Sequence, residues 1–168
     1  KNECKIYGKG VEGYKYKKNI KINAENSGTL GRLILGLIVN SSKSINLIGD
    51  KSLSKRDFKR ITLPLSKFGA RFKSKKKVGL PLTIKGTQNL KPINYIETKG
   101  SAQCKSSVIF AGMRTNGKTL IKAKKSRNHT ELLCKYLKLP IKIKNKKKFD
   151  IIEVSKIKKI KRLNYKIP

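Results

Sequence analysis

The chain has 168 residues, of which 37% are hydrophobic, and its 43 Lys and Arg residues against nine Asp and Glu give a net charge of +34. This length is sufficient for one core, or for two small cores that share an interface. No apolar run reaches the roughly 18 residues of a transmembrane helix, so no membrane partner is expected.

The first predicted helix begins within the segment NSGTLGR, residues 26–32. Apolar residues then recur on one helical face, at Leu30, Leu33, Ile34, Leu37 and Ile38. Asn26 or Ser27 can accept a hydrogen bond from the free N–H groups of the first turn, and Gly28 lets a ligand approach the backbone. A helix N-terminus with small polar residues and a nearby arginine suits an anion. An ordinary capped core helix has the same pattern.

A strand, a second helix and two further β segments follow in the first half of the chain. The strand is predicted at residues 44–48, and the helix near Lys55, where a basic, polar segment opens it. Pro64 falls inside this helical pattern and should either kink the helix or lie close to its end. The two β segments are predicted at residues 70–74 and 80–85.

The second half repeats this order. The segment SAQCKS, residues 101–106, opens an apolar helix, and a strand follows at residues 118–123. The segment SRNHTE, residues 126–131, opens a further helix near Asn128, and β segments are predicted at 141–144 and 150–154. The chain is therefore interpreted as two helix–strand–helix–strand–strand units, at about 20–86 and 95–156, offset by about 71–74 residues. Units of this kind share a core, because neither buries its faces alone.

Four motifs in this order resemble the EPSP synthase family, the enolpyruvyl transferases of the shikimate pathway. They are NSGTLGR, GDKSLSKR at 49–56, SAQCKS and SRNHTE, and the resemblance extends from about Gly8 to Pro168. It departs at Asp57, where the family has proline. The resemblance implies an α+β fold in which the repeated units form one lobe of an inside-out α/β barrel. Residues 157–168 would begin the crossover to a second lobe, so we expect an incomplete N-terminal lobe.

The resemblance also implies an activity. Members of the family transfer the enolpyruvyl group of phosphoenolpyruvate to shikimate 3-phosphate, giving 5-enolpyruvylshikimate 3-phosphate and phosphate. No metal or organic cofactor is expected, and the complete enzyme should be a cytoplasmic monomer with small anionic substrates. In the family the acid and base groups come from the second lobe. No catalytic residue is therefore assigned here, and the chain by itself is expected to be inactive.

The resemblance assigns two overlapping sets of binding residues. Those for phosphoenolpyruvate are Gly28, Arg56 and Gln103. Those for shikimate 3-phosphate are Ser101, Ala102, Gln103 and Arg127. These residues are distant in sequence and should converge on one basic face. Lys105 is interpreted as an exposed helix lysine, and His129 as a structural residue at a helix start.

Two alternatives remain open. A UDP-N-acetylglucosamine enolpyruvyl transferase would use the same phosphoenolpyruvate chemistry on a different acceptor. A basic RNA-binding module would explain the net charge of +34 directly. Nucleic acid is nevertheless the less favoured partner, because the lysines are dispersed, aromatic residues are sparse, and the abundance of Lys, Ile and Asn is typical of AT-rich coding sequence. Cys4, Cys104 and Cys134 indicate free thiols in a reducing cytosol, and a single His disfavours a zinc site.

Overall fold

The structure, a computed structural model, describes residues 19–74 and 79–160 together with Tyr7 and Gly10. Within these residues the chain forms two four-stranded sheets and four α-helices. Cys4 and the predicted start of the crossover beyond residue 160 lie outside the described residues. None of the described helices is long and apolar enough to cross a membrane.

The first sheet and its two helices constitute unit one. The elements in chain order are β1 (Ile20–Asn23), α1 (Gly28–Leu37), β2 (Ser44–Ile48), α2 (Lys59–Lys67), β3 (Arg71–Ser74) and β4 (Leu82–Lys85). The strand order is β1-β2-β4-β3. β1 and β2 are parallel, whereas β4 is antiparallel to both β2 and β3.

The second sheet and its helices constitute unit two, which repeats this topology. Its elements are β5 (Asn94–Glu97), α3 (Ala102–Gly112), β6 (Thr119–Lys124), α4 (His129–Tyr136), β7 (Ile141–Asn145) and β8 (Phe149–Val154). The strand order is β5-β6-β8-β7, again with one parallel and two antiparallel pairs. Each unit is therefore β-α-β-α-β-β, and the leading strands β1 and β5 were missing from the sequence prediction.

The predicted helix starts near Ser27, Ser101 and Asn128 are confirmed. Ser27 is the N-cap of α1, where its Oγ accepts a hydrogen bond from the Leu30 N–H at 3.1 Å. Ser101 caps α3 in the same way, with the Cys104 N–H donating to its Oγ at 3.3 Å. Small polar residues before an apolar run therefore acted here as sequence signals for helix starts.

The predicted helix start near Lys55 is wrong, because two aspartates divide this segment. The Asp50 carboxylate accepts from the Leu53 N–H at 2.7 Å, and a single 3₁₀ turn follows at Leu53–Lys55. The chain is extended at Arg56, and Asp57 then accepts from the Lys59 N–H at 2.7 Å, where α2 begins. Pro64 lies inside α2, three residues before its last residue, and is buried.

The two units share one core through α1 and α3. These helices lie side by side with their N-termini together, and the Ser107 hydroxyl donates to the Arg32 carbonyl at 3.1 Å. A Cβ atom at Gly36 would overlap the backbone carbonyl of Ser107, so glycine is required for this close approach. One continuous cluster of buried apolar side chains extends from Ala24 to Ile157. This packing fixes the two helix N-termini relative to each other.

Candidate anion-binding site

Two arginines flank the N-terminus of α1. A Cβ atom at Gly28 would lie 3.0 Å from Nη1 of Arg56 and 3.1 Å from Nη1 of Arg32. The absence of a side chain at Gly28 therefore leaves room for both guanidinium groups beside the backbone. Free N–H groups and two planar cations at one helix N-terminus are well suited to a carboxylate or a phosphate.

Gln103 joins this cluster from the first turn of α3. Arg32 donates from Nη1 to the Gln103 side-chain carbonyl at 2.7 Å, and the Gln103 amide donates to the Thr29 hydroxyl at 2.8 Å. Because both ends of the amide are engaged, its orientation is fixed by α1. The contact is possible because the α1 and α3 N-termini lie together.

Arg56 is held less firmly than Arg32. Its side chain is exposed, and its Nη2 reaches Asn26 Oδ1 only at 3.5 Å. The Arg32 guanidinium, by contrast, is bonded to Gln103 and lies 5.6 Å from the centre of the Phe58 ring. Arg56 is therefore the more adjustable of the two cations and the more available to a ligand.

The other predicted residues follow the parallel strands of unit two. Ser101 caps α3, Ala102 is its first residue, and Arg127 lies exposed in the segment after β6. A Cβ atom at Gly100 would lie 3.4 Å from the Lys125 carbonyl, so the segments that follow β5 and β6 are adjacent. The structure thus brings Arg56 and Arg32 to Gly28, links Arg32 to Gln103, and places Arg127 in the segment beside the start of α3.

Two members of the cluster, Thr29 and Arg32, were not assigned as site residues from the sequence. Both belong to NSGTLGR, and they lie three residues apart, so they occupy the same side of α1. This three-residue spacing was the sequence signal that could have identified both as site residues. Recognising it required knowing that a second helix N-terminus lies beside α1.

The interpretation of Lys105 as an exposed lysine is wrong. Its side chain is completely buried, and its Nζ lies 2.5 Å from Oε1 of Glu131 on α4. The two groups form a close ion pair, and among the described residues neither Lys105 Nζ nor Glu131 Oε2 has a hydrogen-bond partner. The reason is the central position of α3, in which every residue from Cys104 to Ile109 is buried.

Most of the described carboxylates near the site have structural partners. Asp50 and Asp57 accept from backbone N–H groups, Glu97 lies 3.8 Å from Arg60, and Glu131 is paired with Lys105. Glu25 and Asp50 line an open cleft of about 440 Å³ beside the cluster, whose acidic lining does not suit an anion. Among the described residues, no group of three or more His, Cys, Asp or Glu could hold a metal ion.

The remaining titratable residues of interest lie in unit two. Cys104 and Cys134 are free, buried thiols. Burial, with a smaller effect from the Glu131 charge, raises the pKa of Cys134 to about 11. Burial also raises the pKa of Tyr95 above its ordinary range, assisted by Cys104 and Glu97. His129 is the exposed first residue of α4.

Comparison with known proteins connects this geometry to one family. A sequence profile of EPSP synthase (3-phosphoshikimate 1-carboxyvinyltransferase) matches residues 1–168. The chain is 47% identical over 128 residues to the 3-phosphoshikimate 1-carboxyvinyltransferase of Streptococcus agalactiae, covering 75% of this chain and 30% of that protein. It is 46% identical over 117 residues to the protein of the same name from Caldicellulosiruptor bescii, covering 68% of this chain and 27% of the relative.

The solved structures give the same result. The fold is similar to that of EPSP synthase from Acinetobacter baumannii, with a TM-score of 0.73 and 31% identity over 82% of this chain and 31% of that chain. The chain thus spans about 30% of the length of the curated relatives it matches. Because the sequence profile matches every residue of the chain, and the structural match extends over both repeated units, the chain belongs to the EPSP synthase family.

Proposed function

We propose that the protein transfers the enolpyruvyl group of phosphoenolpyruvate to shikimate 3-phosphate, and that this chain supplies part of the substrate-binding surface. In this reaction a hydroxyl of shikimate 3-phosphate attacks C2 of phosphoenolpyruvate while C3 gains a proton. The tetrahedral adduct then loses phosphate from C2 and a proton from C3, which restores the C2–C3 double bond. The observation that carries the proposal is the arrangement of Gly28, Arg32, Arg56 and Gln103 at two adjoining helix N-termini.

Phosphoenolpyruvate is assigned to the N-terminus of α1. Arg56 offers a planar pair of donors to its carboxylate, and Gly28 leaves the backbone N–H groups accessible. Gln103 lies at the junction with the second substrate, because it is bonded to α1 while belonging to α3. A neutral amide can contact oxygens of both substrates without adding charge.

Shikimate 3-phosphate is assigned to the edge of unit two. Ser101 and Ala102 would lie beside the substrate at the start of α3, and Arg127 would contact its phosphate from the segment after β6. The adjacency of the Gly100 and Lys125 backbones supports this assignment, because it brings the two segments to one edge.

The acid and base groups are expected outside this chain. The structural partners of Asp50, Asp57, Glu97 and Glu131 support this expectation, since proton transfer needs a group free to reach the substrate. The two units would then form one lobe of an inside-out α/β barrel in a monomeric, cytoplasmic enzyme. Closure of a second lobe would exclude water and complete the site.

Titration of the 168-residue chain with shikimate 3-phosphate, followed by NMR at low and high salt, tests the proposal. We expect weak binding that salt weakens further, because exposed cations are screened, and shifts confined to the first turns of α1 and α3 and the segment after β6. Arg127→Ala should reduce this binding. Arg71→Ala, which removes an exposed arginine on β3, is the matched control and should not.

Phosphate release tests whether the acid and base groups lie outside this chain. We expect none from the 168-residue chain mixed with both substrates. Robust turnover would show that the catalytic groups lie within this chain. Tight RNA binding with a steep salt dependence, and no response to shikimate 3-phosphate, would instead favour the basic RNA-binding alternative.

A further inference from the structure

The most unusual buried feature of the chain is the ion pair between Lys105 on α3 and Glu131 on α4. The two side chains are 0% and 4% exposed, and Nζ lies 2.5 Å from Oε1. Two charges removed from water lose much of their hydration free energy, so such a pair is weak evidence for stability.

A second polar contact lies beside this pair. The hydroxyls of Ser106 and Thr130 are 2.7 Å apart, with either able to donate. The two contacts therefore join consecutive residues of α3 to consecutive residues of α4. Together they hold the first turn of α4 against the first turns of α3.

Apolar packing holds α4 less completely than it holds α3. Leu132, Leu133 and Tyr136 are each at least half exposed, and α4 packs chiefly against β7. By contrast, α3 is buried against α1 and α2. The position of the first turn of α4 relative to α3 therefore depends strongly on these two polar contacts, of which the Ser106–Thr130 hydrogen bond is directional.

We propose that Lys105 and Glu131 are positioning residues, which set the separation between the segment bearing Arg127 and the α3 N-terminus bearing Ser101 and Gln103. Arg127 lies four residues before Glu131, and Ser101 lies four residues before Lys105. The ion pair therefore joins α3 and α4 at residues that follow each binding segment at the same sequence distance. This inference rests on the proposed function, because it concerns the affinity for shikimate 3-phosphate.

The test replaces both charges with apolar side chains. The double variant Lys105→Met with Glu131→Leu removes the pair without leaving an unpaired buried charge, so the chain should still fold. The Leu132 amide, which donates to the Asn128 carbonyl at 3.0 Å, reports on the first turn of α4. The Leu137 amide, which donates to the Leu133 carbonyl at 2.9 Å, reports on its last turn.

We expect hydrogen exchange at Leu132 to accelerate at least about tenfold in the double variant, and exchange at Leu137 to change less than about threefold. Affinity for shikimate 3-phosphate should fall about tenfold, while affinity for phosphoenolpyruvate should stay within about twofold. Ile84→Val, a core change in β4 distant from α4, controls for a general loss of stability.

Three outcomes would overturn the inference. Unchanged exchange at Leu132 would show that apolar packing alone positions the turn. Faster exchange with unchanged affinity for shikimate 3-phosphate would show that the turn does not determine binding. Equal losses for both substrates would indicate a general structural effect. If the unmodified chain does not bind shikimate 3-phosphate, the proposed function fails, and the exchange at Leu132 still decides whether the pair positions the turn.

Discussion

The two units have the same topology but fix their second helix by different chemistry. Counting from the helix starts, Lys105 of unit two corresponds to Gly31 of unit one, and Glu131 corresponds to Ile61. In unit one a Cβ atom at Gly31 would lie 3.3 Å from the Phe58 ring, and Ile61 is buried. Gly31 thus packs against an aromatic ring, whereas the corresponding residue of unit two, Lys105, forms a buried ion pair.

This difference shows that the repeated pattern specifies which positions are buried, and leaves open what occupies them. α2 and α4 share buried positions at Ile61 and Glu131, and at Pro64 and Cys134. An apolar contact tolerates small shifts, because dispersion and the hydrophobic effect are weakly directional. An ion pair in the same place restricts the geometry more closely, at a greater cost in desolvation.

The largest expected effect comes from breaking the ion pair on one side. Lys105→Met leaves the Glu131 carboxylate buried without a cation, which should destabilise the chain by about 3–5 kcal/mol. The double variant Lys105→Met with Glu131→Leu makes unit two resemble unit one and should recover most of this loss. Urea denaturation measures both changes. If Lys105→Met costs no more than the double variant, the pair does not behave as a buried ion pair.

Substitution of the arginine in each unit should impair the use of a different substrate. In a protein extended to the length of its relatives, Arg56→Ala should mainly impair use of phosphoenolpyruvate. Loss of a hydrogen bond to a charged group costs about 1.5–3 kcal/mol, or one to two decades in kcat/KM. Arg127→Ala should mainly raise the KM for shikimate 3-phosphate. Arg71→Ala is the matched control, and identical profiles for the Arg56 and Arg127 variants would contradict separate roles.

The contact between the units should be intolerant of one added methyl group. Gly36→Ala places a Cβ atom against the Ser107 backbone carbonyl, which cannot move without separating α1 from α3. Overpacking of this kind costs about 1–3 kcal/mol. Gly31→Ala is the control on the same helix, because its Cβ atom would lie 3.3 Å from the tip of the Phe58 ring, which needs to move by only a few tenths of an ångström. Equal midpoints in urea for the two variants would show that the helices separate easily.

The capped helices were predictable from the sequence because their signals are local. Ser27 and Ser101 each precede a strongly apolar helix, and both act as N-caps in the structure. β1 and β5, each of four residues, were missed, although β3, equally short and also at a sheet edge among the described residues, was predicted. Four alternating residues are a weak signal in a lysine-rich sequence, and the strands that were predicted all follow a helical pattern.

Parts of the candidate site could not be predicted because they depend on contacts between units. Arg32 meets Gln103 across 71 residues, and the burial of Lys105 depends on Glu131 in the following helix. A lysine on a helix is ordinarily exposed, and sequence pattern does not show which distant carboxylate will neutralise it. The predicted start of α2 was wrong for a local reason. Asp50 and Asp57 lie within eight residues of each other, and each accepts a hydrogen bond from a backbone N–H group at the start of a turn or helix.

The smallest expected effect is a pH dependence specific to unit two. The pKa of Cys134 is raised from 9.0 to about 11 by burial and then by the Glu131 charge. Between these values the unfolded chain releases the thiol proton while the folded chain keeps it. The unfolded state therefore binds fewer protons, and stability that is fully present below pH 9 is lost as pH rises towards 11.

Comparison of variants isolates this effect from the many lysines that titrate in the same range. Cys134→Ala should flatten the decline in unfolding free energy between pH 9 and 11 relative to the unmodified chain. Leu133→Ala, at an exposed neighbouring position of α4, should leave the decline unchanged. Tyr95 contributes a decline of the same sign, because its pKa is also raised and its charged form is disfavoured in the folded state. A Cys134→Ala variant with the same slope as the unmodified chain would show that the thiol is accessible to water, and that Cys134 is covered less closely than Pro64 is in unit one.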